Sequence, residues 1–180
     1  MLDLYLSDQI ERKNQGLPPL SLNTEQTASL IELLKKDSAQ DSDLLLSLLE
    51  NRVPAGVDQA AFVKAAFLSD VANNNTHSPY INDDYAIKLL GTMLGGYNVQ
   101  SLIALLKTDK AELASKALSK ITLIFDAFYD VEKLHKDGNS YATNLLKSWA
   151  EAEWFTSKAI TSETLKVIVF KVDGETNTDD

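Results

Sequence analysis

The sequence predicts an all-α fold of stacked antiparallel helical pairs, on three observations. Helix-start signals recur: Asn23 with Gln26, and Asp109 with Glu112, have the capping-box form, in which two side chains satisfy each other's orphan backbone donors. Apolar residues then return at helical rather than alternating spacing. Finally, Asp41 and Asp83 open similar segments: Leu48-Leu49, a turn at Gly56 and a second helix, against Leu89-Leu90, a turn at Gly95-Gly96 and a second helix. Their offset of about 42 residues lies within the roughly 40–47 of HEAT-type helical pairs, so a HEAT-like, irregular right-handed α-solenoid or a compact helical bundle is expected.

Taken in order, Leu30, Ile31 and Leu34 form the first stripe. Leu44 to Leu49 is a nearly continuous apolar stretch, and Phe62, Val63, Ala66 and Phe67 make another helical face. The separators Gly16-Leu17-Pro18-Pro19, Val53-Pro54-Ala55-Gly56 and Asn73-Asn74-Asn75-Thr76-His77-Ser78-Pro79 are too rich in turn formers to continue a helix. After Asp109, the residues Ala114, Ala117, Leu118, Ile121, Ile124, Phe125 and Phe128 share one helical face, which predicts a long helix. Lys136-Asp137-Gly138-Asn139 breaks the pattern, because Gly or Asn takes the left-handed geometry that ends a helix. Ala142, Leu145, Leu146 and Trp149 then carry a further helix. The helical domain is expected over residues 1–160.

Residues 161–180 differ in character. Leu165-Lys166-Val167-Ile168-Val169-Phe170-Lys171-Val172 is β-branched and strand-like, and no partner strand follows before Asp180. A lone strand leaves its ladder unpaired, so this stretch reads as a linker and the first strand of a following domain.

The 180 residues are 44% hydrophobic and 24% charged, enough apolar material for one full core. The net charge of −9 disfavours nucleic acid and anionic membranes as partners. There is no cysteine, hence no disulfide framework and no thiolate for zinc or an iron–sulfur cluster. Met1-Leu2-Asp3-Leu4 lacks a basic signal-peptide start, and no apolar run approaches the ~18 residues of a membrane span, so a cytoplasmic chain is expected.

No catalytic constellation stands out. His77 and His135 lie far apart in sequence without an acid at metal-ligand spacing and read as surface histidines. The adjacent acids Asp83-Asp84 and Asp179-Asp180 point in different directions on a helix, and Asp83 suits a first helical turn. The GxxxG spacing of Gly91 and Gly95 has no membrane helix to serve and reads as a tight turn between helices. Tyr97-Asn98 is either a recognition pair or an amphipathic rim. Asn74-Asn75-Thr76 matches a glycosylation sequon, which a cytoplasmic chain does not use. Trp149 and Trp154 cannot both face one core; one of them, with Phe155, marks a docking surface or a domain junction.

Five motifs carry a resemblance. They are Asn51-Arg52-Val53-Pro54-Ala55-Gly56-Val57-Asp58, Leu89-Leu90-Gly91-Thr92-Met93-Leu94-Gly95-Gly96-Tyr97-Asn98, Phe128-Tyr129-Asp130-Val131-Glu132, Ser148-Trp149-Ala150-Glu151-Ala152-Glu153-Trp154-Phe155, and the stretch from Val169 to Asp180. In this order and spacing they resemble, from end to end of the chain, the N-terminal part of the bacterial aconitate hydratase B family.

The resemblance implies a HEAT-like helical domain ahead of a swivelling domain that opens near Gly174. It implies a hydro-lyase of the tricarboxylic acid cycle that interconverts citrate and isocitrate via cis-aconitate on a [4Fe–4S] cluster. The family's cluster cysteines and substrate arginines lie downstream, and Arg12 and Arg52 sit in none of its motifs. No catalytic, cofactor-binding or metal-binding residue is therefore assigned to this segment, and its partner-binding residues are unknown. It is expected to be a non-catalytic protein-interaction domain serving dimerisation or active-site access, with the rest of the aconitase chain or a second copy as partner. The alternatives are a free-standing helical-repeat scaffold or adaptor, and an RNA-binding module of the apo-enzyme, which the negative charge disfavours.

Overall fold

The computed structural model describes residues 2–37, 41–121, 124 and 126–152. Among the described residues there are nine helices: α1 (Leu2–Asn14), α2 (Thr24–Leu34), α3 (Ser42–Asn51), α4 (Gln59–Ala72), α5 (Asp83–Leu90), α6 (Val99–Leu105), α7 (Ala111–Leu118), α8 (Ala127–Lys136) and α9 (Ser140–Ala150). The expected all-α class is what is found. By compactness the chain divides into Met1–Leu146 and Lys147–Asp180. The first unit holds the core described below. The described part of the second is the end of α9, where Lys147 pairs with Glu151 at 3.8 Å. The expected strand over 165–172 and the residues Trp154, Phe155, Asp179 and Asp180 lie outside the described residues.

Consecutive helices pair, α2 with α3, α4 with α5 and α6 with α7, and helices two apart also pack: α2 on α4, α5 on α7, α6 on α8. The core lies along these seams, in Leu30, Leu34, Leu49, Leu68, Ile87, Leu90, Leu102 and Leu118, all essentially sealed from solvent. The two leucine pairs of the offset segments, Leu48-Leu49 of α3 and Leu89-Leu90 of α5, are both buried.

Local signals explain the helix starts. The Asn23–Gln26 capping box forms, with Asn23 Oδ1 accepting from the Gln26 amide at 2.8 Å and Gln26 Oε1 accepting from the Asn23 amide at 3.0 Å. Asp58 and Asn82 cap α4 and α5, accepting from the amides of Ala60 and Tyr85. Gly138 is left-handed (φ 87°), and Asn139 caps α9 through the Ala142 amide at 2.9 Å.

Three expectations are corrected. The long helix after Asp109 is two helices, α7 and α8, with a break after Leu118 closed by short bonds from the Lys120 and Ile121 amides to the Ala117 and Leu118 carbonyls. Ile121, which closes the turn, is β-branched, and such a residue loses rotamer freedom in a helix. The Asp109–Glu112 capping box does not form. Thr108 turns the backbone instead, its hydroxyl accepting from the Lys110 amide at 3.1 Å, and Glu112 pairs with Lys116 at 2.6 Å. In α4 the helix is as expected but only part of its expected face turns inward: Phe67 is buried and Val63 half-buried, whereas Phe62 and Ala66 are exposed and Ala61, Lys64, Ala65, Leu68 and Val71 are buried instead. α1 carried no periodic signal; it is held by Tyr5, whose buried hydroxyl donates to the Leu20 carbonyl at 2.8 Å.

Short helices leave their last carbonyls without intrahelical donors, and buried ends need partners. Among the described residues, three of the four buried polar side chains meet that need. Ser78 donates to the Leu34 carbonyl at the end of α2 (2.8 Å), Lys64 to Leu49 near the end of α3 (2.6 Å), and Asn98 to Leu90 at the end of α5 (2.6 Å). Asn139 does the same for Leu106 after α6, at 2.7 Å.

Lys64 shows what this costs. Burial disfavours its ammonium and, against the opposing pull of Glu50, brings its pKa down to about 8. Below pH 8 both folded and unfolded chains are protonated there and the penalty is fully present. Between about 8 and the ordinary 10.5 the folded chain has released the proton and the unfolded chain has not, so this group makes stability rise with pH. Wild type is therefore expected to gain on the order of 2–3 kcal/mol relative to Lys64→Met as pH is raised from 7 to 10.5. Denaturant melts of both proteins across that range check it, and a constant difference refutes it.

Candidate functional site

The loop between α3 and α4 (residues 52–58) and the loop between α5 and α6 (residues 91–98) lie against each other. The Leu94 amide donates to the Ala55 carbonyl at 2.8 Å, and the Tyr97 hydroxyl donates to the Val57 carbonyl at 3.0 Å. A Cβ on Gly95 would sit 2.0 Å from the Gly56 carbonyl oxygen, so only glycine permits this approach. Gly96 supplies the left-handed turn that follows (φ 88°). The GxxxG spacing thus serves two close approaches within one chain: Gly95 to Gly56, and Gly91 to Ala117 of α7, where an added Cβ would come within 2.9 Å of the alanine methyl.

Locked together, the loops present an apolar platform. Val57 is 75% exposed and Leu94 66%, and Phe62 at the start of α4 meets the Tyr97 ring edge-on at 5.4 Å. Exposed aliphatic and aromatic groups held on a rigid backbone are the composition of a protein contact surface. Of the Tyr97-Asn98 pair, Tyr97 belongs to this rim, while Asn98 is fully buried and ties the loop to Leu90 and Met93.

A second kind of feature lies between helices two apart. Three grooves share one construction, each walled by two helical faces of i, i+3, i+4, i+7 residues. Ala28, Ile31, Glu32 and Lys35 of α2 and its C-cap face Val63, Ala66, Phe67 and Asp70 of α4 across about 380 Å³. Asp84, Ile87, Lys88 and Gly91 face Leu113, Lys116, Ala117 and Lys120 across about 530 Å³, and Gln100, Ile103, Ala104 and Lys107 face Asp130, Lys133, Leu134 and Asp137 across about 260 Å³.

His77 and His135 are both exposed, and His135 Nδ1 lies 2.8 Å from the Thr143 hydroxyl. Asp83 stands in the first turn of α5, where Lys110 hydrogen-bonds it and holds its carboxyl below the usual range while its own pKa is raised; Asp84 lies 3.7 Å from the same ammonium. Asn74 of the sequon is a left-handed turn residue after α4 (φ 58°). Arg12 Nε donates to the Pro18 carbonyl at 2.8 Å, and Arg52 caps α3 through its backbone. Among the described residues no group of three or more His, Cys, Asp or Glu is placed to hold a metal ion, and no helix is long and apolar enough to cross a membrane. The platform residues Val57, Phe62 and Leu94 were missed in the sequence as a site; the signals pointing there were the glycine spacing and the Tyr97-Asn98 pair.

The described residues define an all-helical domain. The chain belongs to the family described as the aconitate B N-terminal domain, which it matches over residues 4–155. Across its whole length it is 52% identical to aconitate hydratase B of Salmonella typhimurium and 51% identical to that of Escherichia coli, and over 99% of its length it is 42% identical to that of Helicobacter pylori. It spans about a fifth of these relatives, 21% of each.

The glycine at the loop contact makes a direct prediction. Gly95→Ala forces the two loops apart, and thermal melts should show a loss of about 1–3 kcal/mol, the range of an overpacked contact. Gly96→Ala, with open space around its Cβ, should cost only the strain of a left-handed alanine, about 1 kcal/mol. Equal melting for Gly95→Ala and wild type refutes the loop contact.

Proposed function

We propose that this chain is the non-catalytic N-terminal contact module of an aconitate hydratase B, a cytoplasmic enzyme that interconverts citrate and isocitrate in the tricarboxylic acid cycle. The observation that carries the reading is the platform of Val57, Phe62, Leu94 and Tyr97, held by loops whose backbones touch. Its partner is the rest of the aconitase chain or a second copy, so the module serves access to the active site or dimerisation.

The [4Fe–4S] cluster of such an enzyme is bound by cysteine thiolates. This chain has no cysteine, so its residues do not fit the cluster and it takes no part in ligating it. The family match ending at residue 155 supports a helical domain over 1–160, followed by a linker and the opening strand of the next domain over 161–180. The relatives, about five times as long, favour a module over a free-standing scaffold. The net charge of −9 weighs against RNA binding by this segment.

In the full-length enzyme, Val57→Glu with Leu94→Glu places two charges on the platform while touching no buried group. A several-fold fall in citrate turnover with the dimer intact would mark an active-site role, and dissociation in sedimentation velocity would mark a dimer contact. A variant unchanged in both, or citrate turnover by the 180-residue chain alone, overturns the reading.

A further inference from the structure

The three inter-helix grooves share a backbone plan and differ in charge. The α2–α4 groove carries Glu32, Lys35 and Asp70, and the α6–α8 groove balances Lys107 and Lys133 against Asp130 and Asp137. The α5–α7 groove alone of the three is lined by an excess of cations: Lys88, Lys116 and Lys120 against the single carboxylate of Asp84. It does so in a chain of net charge −9.

Its lysines are also available. Asp84 lies 3.7 Å from the Lys110 ammonium, which is not among the groove's lining residues. Lys88 lies over the Tyr85 ring, 5.9 Å from its centroid, and Lys120 forms no ion pair among the described residues. Lys116 alone is paired, with the exposed Glu112 one turn away, an exchangeable surface bridge of small worth. Between these cations the floor is apolar, made by Ile87, Ala117 and the half-buried Leu113, and the close approach of Gly91 to Ala117 brings the two helices together beneath it.

From this pattern we infer that the α5–α7 groove is a docking site for an acidic amphipathic segment of a partner protein. Apolar side chains of that segment rest on Ile87, Leu113 and Ala117, and its carboxylates meet Lys88, Lys116 and Lys120. A wall of i, i+3, i+4, i+7 residues is about 10 Å long, matching two turns of a docked helix. The attraction is of opposite charges at an exposed rim, so it sets specificity and association rate and weakens with salt. This inference makes no use of the loop platform, so its failure leaves the contact-module reading standing.

The test uses the full-length protein and a short fluorescent peptide of leucine and glutamate in helical register, with its leucine–lysine counterpart and a single-stranded RNA of equal negative charge as comparators. The glutamate peptide should bind by anisotropy, weaken as sodium chloride is raised, and lose at least about tenfold in affinity on Lys88→Glu, Lys116→Glu and Lys120→Glu combined. The double variant Lys88→Glu with Lys120→Glu should lose a smaller part; it stands in if the triple variant melts early. No binding of the glutamate peptide, equal binding of the lysine peptide, equal binding by the double variant, or displacement of the peptide by the RNA overturns the inference.

Discussion

The buried helix end is the constraint on which the rest of this structure depends. The longest described helix, α4, has 14 residues, and helices of that length are marginal in water by themselves. They persist by lying against neighbours, which puts their last carbonyls in the interior with no donor of their own. The chain answers with side chains sent back from later segments: Ser78 to α2, Lys64 to α3, Asn98 to α5, Asn139 to the end of α6. The bonds of Lys64, Ser78 and Asn139 span 15, 44 and 33 residues, so each closes a helix and fixes the order of packing in the same stroke, while that of Asn98 closes α5 locally, eight residues back. Lys64 is the extreme case, because a carbonyl near the end of a helix, where the dipole is negative, is met by a cation that burial itself disfavours.

That same demand shapes the loops. Asn98 draws the chain after α5 back onto Leu90 and Met93, and the turn so formed lays Gly95 on Gly56. The platform is thus a by-product of closing α5: with the loop inside pinned, Leu94 and Tyr97 are turned outward beside Val57 and Phe62. The fold supplies rigidity, and the contact surface inherits it.

Much of the helical plan was legible in the residues. The Asn23–Gln26 box, the stripe of Leu30, Ile31 and Leu34, and the Gly138 break all speak through local chemistry and act as it says. Where the reading failed, contacts outside the periodic pattern had won. Thr108 turns the backbone before α7 while Lys110 reaches over to Asp83, and the apolar period running through Ile121 continues across the turn that closes α7. α4 misled for a related reason: apolar on nearly every side, it has no face that periodicity can choose, and α2 and α5 decide which side is covered. The platform was illegible because periodicity reports what a helix buries, while a contact surface consists of what its neighbours leave bare.

The repeated groove has a corollary. Three seams of one geometry carry different charges on exposed rims, and rim substitutions far from the core cost little stability. The charge of each groove can therefore be altered by a few surface substitutions with the scaffold beneath held constant. Such a fold is a chassis whose surface charge is separable from its architecture.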